Sequence, residues 1–142
     1  MTVRRVTAAE ARDHAALLAD ALSDVLVDCV EGGASVGFML PLPRSIALGF
    51  WCGALAAAAR DERVLLVAQT DGGRIVGTVQ LITAQPDNQP HRADVAKMLV
   101  HRDARRSGVA GKLMAAIDDA ARAAGKSVLV LDTVTGGDAE RL

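Results

Sequence analysis

The chain has no tyrosine, two phenylalanines and a single tryptophan, which is too few aromatic faces to stack unpaired bases. Its 16 Lys plus Arg nearly balance 17 Asp plus Glu, for a formal charge of −1. Without a stacking platform or a basic field, neither nucleic acid nor an anionic membrane is an expected partner. Cysteine is also scarce. Cys29 and Cys52 both lie in apolar segments that read as helix, where a free thiol packs as a small hydrophobe, and no secretion signal supports a disulfide. These two cysteines and three histidines follow no ligand spacing, so no metal site is expected. Long apolar runs are missing too. Ile46 to Ala59 is only 14 residues, against the roughly 20 needed to span a bilayer, and Met1 to Ala9 has two arginines but no apolar region behind them. A soluble cytoplasmic protein is the expectation.

The 142 residues, 51% of them hydrophobic, suffice for one domain with a single core. Val3 to Val6 reads as a first strand. Thr7 and Glu10 have capping-box spacing at the start of a helix whose apolar positions Leu18, Leu22, Leu26 and Val30 recur every four residues up to Gly32-Gly33. Ala34 to Pro43 reads as an apolar loop broken by Gly37 and two prolines. Arg44 to Arg60 reads as a second helix, apolar enough to be covered on most sides. Val64 to Gln69 and Arg74 to Thr83 form a hairpin through Asp71-Gly72-Gly73. After a polar loop, Ala93 to Val100 is a fourth strand, Gly108 to Ala124 a third helix stopped by Gly125, and Ser127 to Leu131 a fifth strand. The order β-α-α-β-β-β-α-β predicts a mixed α/β fold: central antiparallel strands, then a parallel, right-handed β4-α3-β5 unit in that numbering.

The informative segment lies between that fourth strand and the third helix. Arg105-Arg106-Ser107-Gly108-Val109-Ala110 satisfies [Q/R]-x-x-G-x-[G/A]. Small residues at Gly108, Ala110 and Gly111 let a phosphate approach the main chain, where the first N–H groups of a helix and its dipole favour negative charge. An ordinary strand-to-helix turn would carry the same six residues, so context has to decide.

With the strand Val95 to Val100 before it and this order of elements, the segment resembles the GNAT superfamily of N-acetyltransferases. Gly32 to Met39, His91 to Lys97 and Leu131-Asp132-Thr133 are further similar to the tabtoxin-resistance acetyltransferases, which acetylate a small amino-acid-like β-lactam toxin. The resemblance implies acetyl-CoA as co-substrate, with main-chain groups of Met98, Leu99 and Val100 along its pantetheine arm. Amides from Arg105, Arg106, Ser107, Gly108, Val109 and Ala110, with Gly111 and Lys112 following, would hold the pyrophosphate. Arg106 and Ala110 stand where glycine is frequent. The implied function is acetyl transfer to the amine of a small molecule, an amino-acid-like toxin or antibiotic in that subgroup, by direct attack on the thioester. An inactive acyl-CoA-binding or regulatory domain is the alternative.

An ammonium has no lone pair, so a base or a water relay must take its proton. In the tabtoxin-resistance pattern acidic residues occupy the positions of Asp94 and Asp132, which makes them catalytic candidates. A strand-end surface position for Asp94 and a cap for Asp132 remain the structural alternatives. Ser35 and Phe38 are candidates for the acceptor cleft, although Phe38 equally suits core packing. His101 reads as a solvated loop residue and Trp51 as core. GNAT domains continue beyond the fifth strand through a helix, often bearing a Tyr general acid, and two more strands. The resemblance therefore implies a truncated domain, with a homodimer as one way to complete the sheet.

Overall fold

The structure, a computed structural model, describes residues 1–32, 42–85 and 88–131. Strand β1 (Thr2–Arg5) leads into helices α1 (Ala8–Asp13), α2 (Ala15–Glu31) and α3 (Arg44–Ala59). Strands β2 (Arg63–Gln69), β3 (Ile75–Ile82) and β4 (Arg92–Val100) follow, then a 3₁₀ turn (Arg102–Ala104), helix α4 (Val109–Ala123) and strand β5 (Val128–Leu131). The expected order is present, with the first helix broken in two at His14, whose φ of −122° lies outside the helical range. Thr7 caps α1 by accepting the Glu10 N–H at 3.1 Å. The Glu10 carboxylate does not close a capping box. It is held instead by both arms of Arg4 on β1, at 2.7 and 2.8 Å, and this ties the helix to the strand.

The five strands lie side by side in sequence order. The first four pair antiparallel and β4–β5 is parallel, closed by the crossover through α4. Gly73, at φ 91°, makes the β2–β3 turn and donates its N–H to the Thr70 carbonyl. Alternation along the strands splits the core into two layers. Leu65, Val67, Ile75 and Leu99 face α2 and α3. Val64, Leu66, Val79, Leu81, Ala93 and Val95 face α4, which presents Val109, Leu113, Ile117 and Ala121 at steps of four.

Helix α3 is covered on one side only: Ala47, Trp51, Ala54, Leu55, Ala57 and Ala58 are buried, whereas Gly49, Cys52, Gly53 and Ala56 are exposed. The sequence reading overestimated its burial because its apolar character comes largely from Ala and Gly, which expose little area. Cys52 is accordingly exposed and Cys29 buried, and both are free thiols. No helix among the described residues is long and apolar enough to cross a membrane. The layer of α2 and α3 does not extend over β5, where Val128 and Val130 are 53% and 38% exposed.

Candidate functional site

The end of β4, the turn after it and the start of α4 form one concave surface. Gly77 on β3 lets α4 lie close to the sheet: a Cβ there would stand 2.9 Å from Val109 Cγ1 and 3.3 Å from the Leu99 carbonyl oxygen. The helix is entered through Gly108, left-handed at φ 80° and without a side-chain cap. Helical geometry leaves the N–H groups of Val109, Ala110 and Gly111 without intrahelical acceptors, the first such bond being Lys112 N–H to the Gly108 carbonyl at 3.1 Å. No acidic side chain occupies this first turn. Arg106 is also left-handed, at φ 68°, a conformation costing a non-glycine residue about 1–2 kcal/mol. This explains physically why glycine suits its position.

The resulting groove, about 560 Å³, is lined by Val100, Ala104, Arg105, Arg106 and Gly108 to Gly111. A Cβ added at Gly108 or Gly111 would meet nothing within 4 Å, so the concavity is open to a bulky anion. Six of the eight residues expected in the phosphate cradle thus line one groove. Ser107 and Lys112 do not; Ser107 turns back and donates its hydroxyl to the Ala104 carbonyl. Arg105 is turned inward as well, with Nε donating to the Val100 carbonyl at 3.2 Å. Its guanidinium lies beside Cys29, whose thiol burial pushes up while Arg105 pulls the other way.

Beyond Val95, β4 has no strand partner on its outer edge among the described residues, because β5 pairs only with Arg92 to Val95. The ladder to β3 shifts register between Thr78↔Leu99 and Gln80↔Ala96, leaving Lys97, at φ 54°, and Met98 together opposite Val79. The His101 N–H bonds the Val76 carbonyl at 2.8 Å. Alternation in an antiparallel pair then directs the main-chain groups of Leu99 toward β3 and those of Met98 and Val100 toward the outer edge. Of these, the Val100 carbonyl already accepts from Arg105 and from the Cys29 thiol at 3.4 Å.

Asp28, near the end of α2, escaped sequence reasoning. Its carboxylate accepts the Arg102 N–H at 2.8 Å and Arg102 Nε at 2.9 Å, and lies 3.4 Å from His101 Nε2. Burial raises its pKa, but the hydrogen bonds from Arg102 and the Arg102 charge outweigh burial and hold it below the ordinary carboxylate value. The available signal was an acid among the apolar residues that end α2. His101 is not a solvated loop residue: its side chain is 14% exposed, Nδ1 accepts the Asp103 N–H, and Arg74 Nη2 lies 3.2 Å from Nε2. Trp51 is fully buried, as expected.

Asp94 lies on β4 opposite Ile82 and level with Val130, half-buried, with Arg92 Nε donating to it at 2.9 Å. Ala93 and Val95 face α4, so Asp94 faces the opposite side of the sheet. Ser35, Phe38 and Asp132 lie outside the described residues. No group of His, Cys, Asp and Glu able to hold a metal occurs among the described residues.

The Acetyltransferase (GNAT) family matches residues 40–141. An uncharacterized N-acetyltransferase encoded in the hisH-hisA intergenic region of Azospirillum brasilense is 36% identical over 113 residues, 78% of this chain; the chain spans 65% of that relative's length. Among solved structures, a ribosomal-protein-alanine N-acetyltransferase from Brucella melitensis biovar Abortus 2308 superposes with a TM-score of 0.68 at 18% identity, covering 99% of this chain and 87% of its own. The yncA protein of Salmonella typhimurium, solved with its cofactor acetyl-CoA, gives 0.66 at 20% identity, covering 92% and 68%. At these identities the structures establish the fold, and the family match establishes kinship: the chain belongs to the GNAT acetyltransferase family.

Proposed function

We propose that this protein is an acetyl-CoA-dependent N-acetyltransferase acting on the amine of a small molecule. The observation that carries the reading is the open groove at the N-terminus of α4, continuous with the edge of β4 that has no strand partner among the described residues. Free N–H groups and the helix dipole suit a pyrophosphate there. An extended pantetheine arm fits as an added strand along Met98 and Val100. When bound, acetyl-CoA supplies an activated acetyl thioester. The chain's own residues hold it and present the amine, which attacks directly with no covalent enzyme intermediate. Asp94 stands on the same strand, six residues before Val100 and so about 20 Å along it. It is the proposed acceptor of the amine's proton, directly or through a water, and Asp132 is a second proposed acidic residue. An amino-acid-like toxin or antibiotic is the proposed acceptor class, on the resemblance of His91 to Lys97 to the tabtoxin-resistance enzymes. A second copy of this chain, in a homodimer, is the proposed protein partner.

The test measures acetyl-CoA binding by calorimetry and thiol release against a panel of amines. Saturable binding and release of free CoA in proportion to acceptor are expected. Absence of binding at millimolar acetyl-CoA would sink the proposal. Binding without acceptor-dependent release would make the chain a regulatory acyl-CoA-binding domain instead.

A further inference from the structure

On the sheet face opposite α4, strand alternation brings a second set of polar groups together, apart from the phosphate groove. Val64 and Leu66 of β2 and Val79 and Leu81 of β3 face α4, so Arg63, Gln80 and Ile82 face the other way. The registers Arg63↔Ile82, Ile82↔Asp94 and Asp94↔Val130 place these residues in one row across four strands. Strands about 4.8 Å apart put the Cα atoms of Arg63 and Asp94 about 10 Å apart. Gln80 pairs with Ala96, immediately before the β4 bulge at Lys97 and Met98.

Arg63 is a half-buried cation without a carboxylate. Its Nη1 donates to Gln80 Oε1 at 2.6 Å, and it takes part in no ion pair within 4 Å among the described residues. Among the described residues its buried Nε has no acceptor, and the same is true of Nε2 of Gln80, a residue that is 1% exposed. The orientation of Gln80 is determined by chemistry: a guanidinium only donates, so Oε1 must face it and Nε2 must be the unsatisfied donor. Burial draws the Arg63 pKa down, opposed chiefly by the charge of Glu62, whose carboxylate is engaged by both arms of Arg60. A half-buried cation and two buried donors without acceptors are costly arrangements, and an anionic oxygen would satisfy them together. Val128 and Val130 on β5, at the far end of this row, are exposed, so the row opens toward solvent there.

We propose that Arg63 and Gln80 bind the carboxylate of the acceptor, which makes the substrate class amines that also carry a carboxylate. The amine would then lie toward Asp94 and the β4 bulge. This rests on the acetyltransferase reading, so the experiment has one arm that needs no turnover.

In that arm, N-acetylglycine and N-acetylglycinamide, two product-like ligands differing only at the carboxylate, are titrated against the protein by calorimetry. The acid should bind roughly tenfold to a hundredfold more tightly than the amide, the range of one charged hydrogen bond. Arg63→Gln and Gln80→Leu should each bring the two ligands close to parity, and Arg63→Lys should retain part of the difference. In the second arm, kcat/KM for an amino acid should exceed that for the matching decarboxylated amine, mainly through KM, and Arg63→Gln should remove the gap. Equal binding of acid and amide, or variants that leave their ratio unchanged, overturns the assignment and leaves water as the satisfying group. Failure of thiol release with every amine while the acid still binds selectively would overturn the acetyltransferase reading and leave the carboxylate site standing.

Discussion

Gly77 of β3 lies directly beneath Val109 of α4: a methyl group on Gly77 would sit 2.9 Å from Val109 Cγ1 and 3.2 Å from Leu113 Cδ1. The absence of a side chain on one strand thereby sets how closely the N-terminal end of α4 approaches the sheet. Gly77→Val should push α4 outward and cost about 1–3 kcal/mol of stability by overpacking. Denaturant unfolding measures that cost. Acetyl-CoA affinity should fall as well, in a protein that still folds at low temperature. An unchanged midpoint and affinity would show that α4 is positioned otherwise.

Gly108 tests the groove itself. Gly108→Glu should abolish acetyl-CoA binding, because the carboxylate would project where the pyrophosphate is proposed and repel it. Gly108→Ala separates this from backbone strain: it carries the same left-handed cost of about 1–2 kcal/mol without the charge, and should retain more affinity. Calorimetry on both variants decides. Wild-type affinity in the glutamate variant would move the cofactor elsewhere.

Asp28 gives a pH-dependent prediction. Its folded-state pKa is lowered, so it stabilises the fold above the ordinary carboxylate pKa near 4, and that contribution is lost as pH falls through the lower folded value. Asp28→Asn should therefore destabilise the protein at pH 7 by about 1–3 kcal/mol and flatten the acid limb of its stability profile below about pH 4. Melting temperature followed from pH 3 to pH 7 is the measurement. Parallel profiles for the two proteins would refute the linkage.

Asp94 separates proton transfer from binding. If its carboxylate takes the amine's proton, Asp94→Asn should lower kcat by about 10²- to 10⁴-fold with acetyl-CoA affinity intact. If it only holds the ammonium form, the acceptor KM should rise instead, by the equivalent of about 1.5–3 kcal/mol. Its present partner, Arg92 at 2.9 Å, must be displaced or shared in either case. Unchanged kcat and KM from pH 6 to pH 9 would assign the base to water or another group.

What the sequence determined by itself was local. Periodicity located the strands and helices to within a residue or two, because a period of two or of nearly four is written in neighbouring residues. The run from Arg105 to Gly111 marked the turn into α4 that lines the open groove, because a close backbone approach needs small residues wherever the chain is placed. Only the tertiary structure decided the rest. It broke the first helix at His14, gave Glu10 to Arg4, bound Arg105 to the Val100 carbonyl, and drew His101 into the network of Asp28. It also joined Arg63 to Gln80, 17 positions apart, with no acceptor among the described residues for two of their donors. Such pairings depend on strand register and on which face each side chain takes. Both are properties of the assembled sheet, since a shift of one residue would carry every one of these groups to its opposite side.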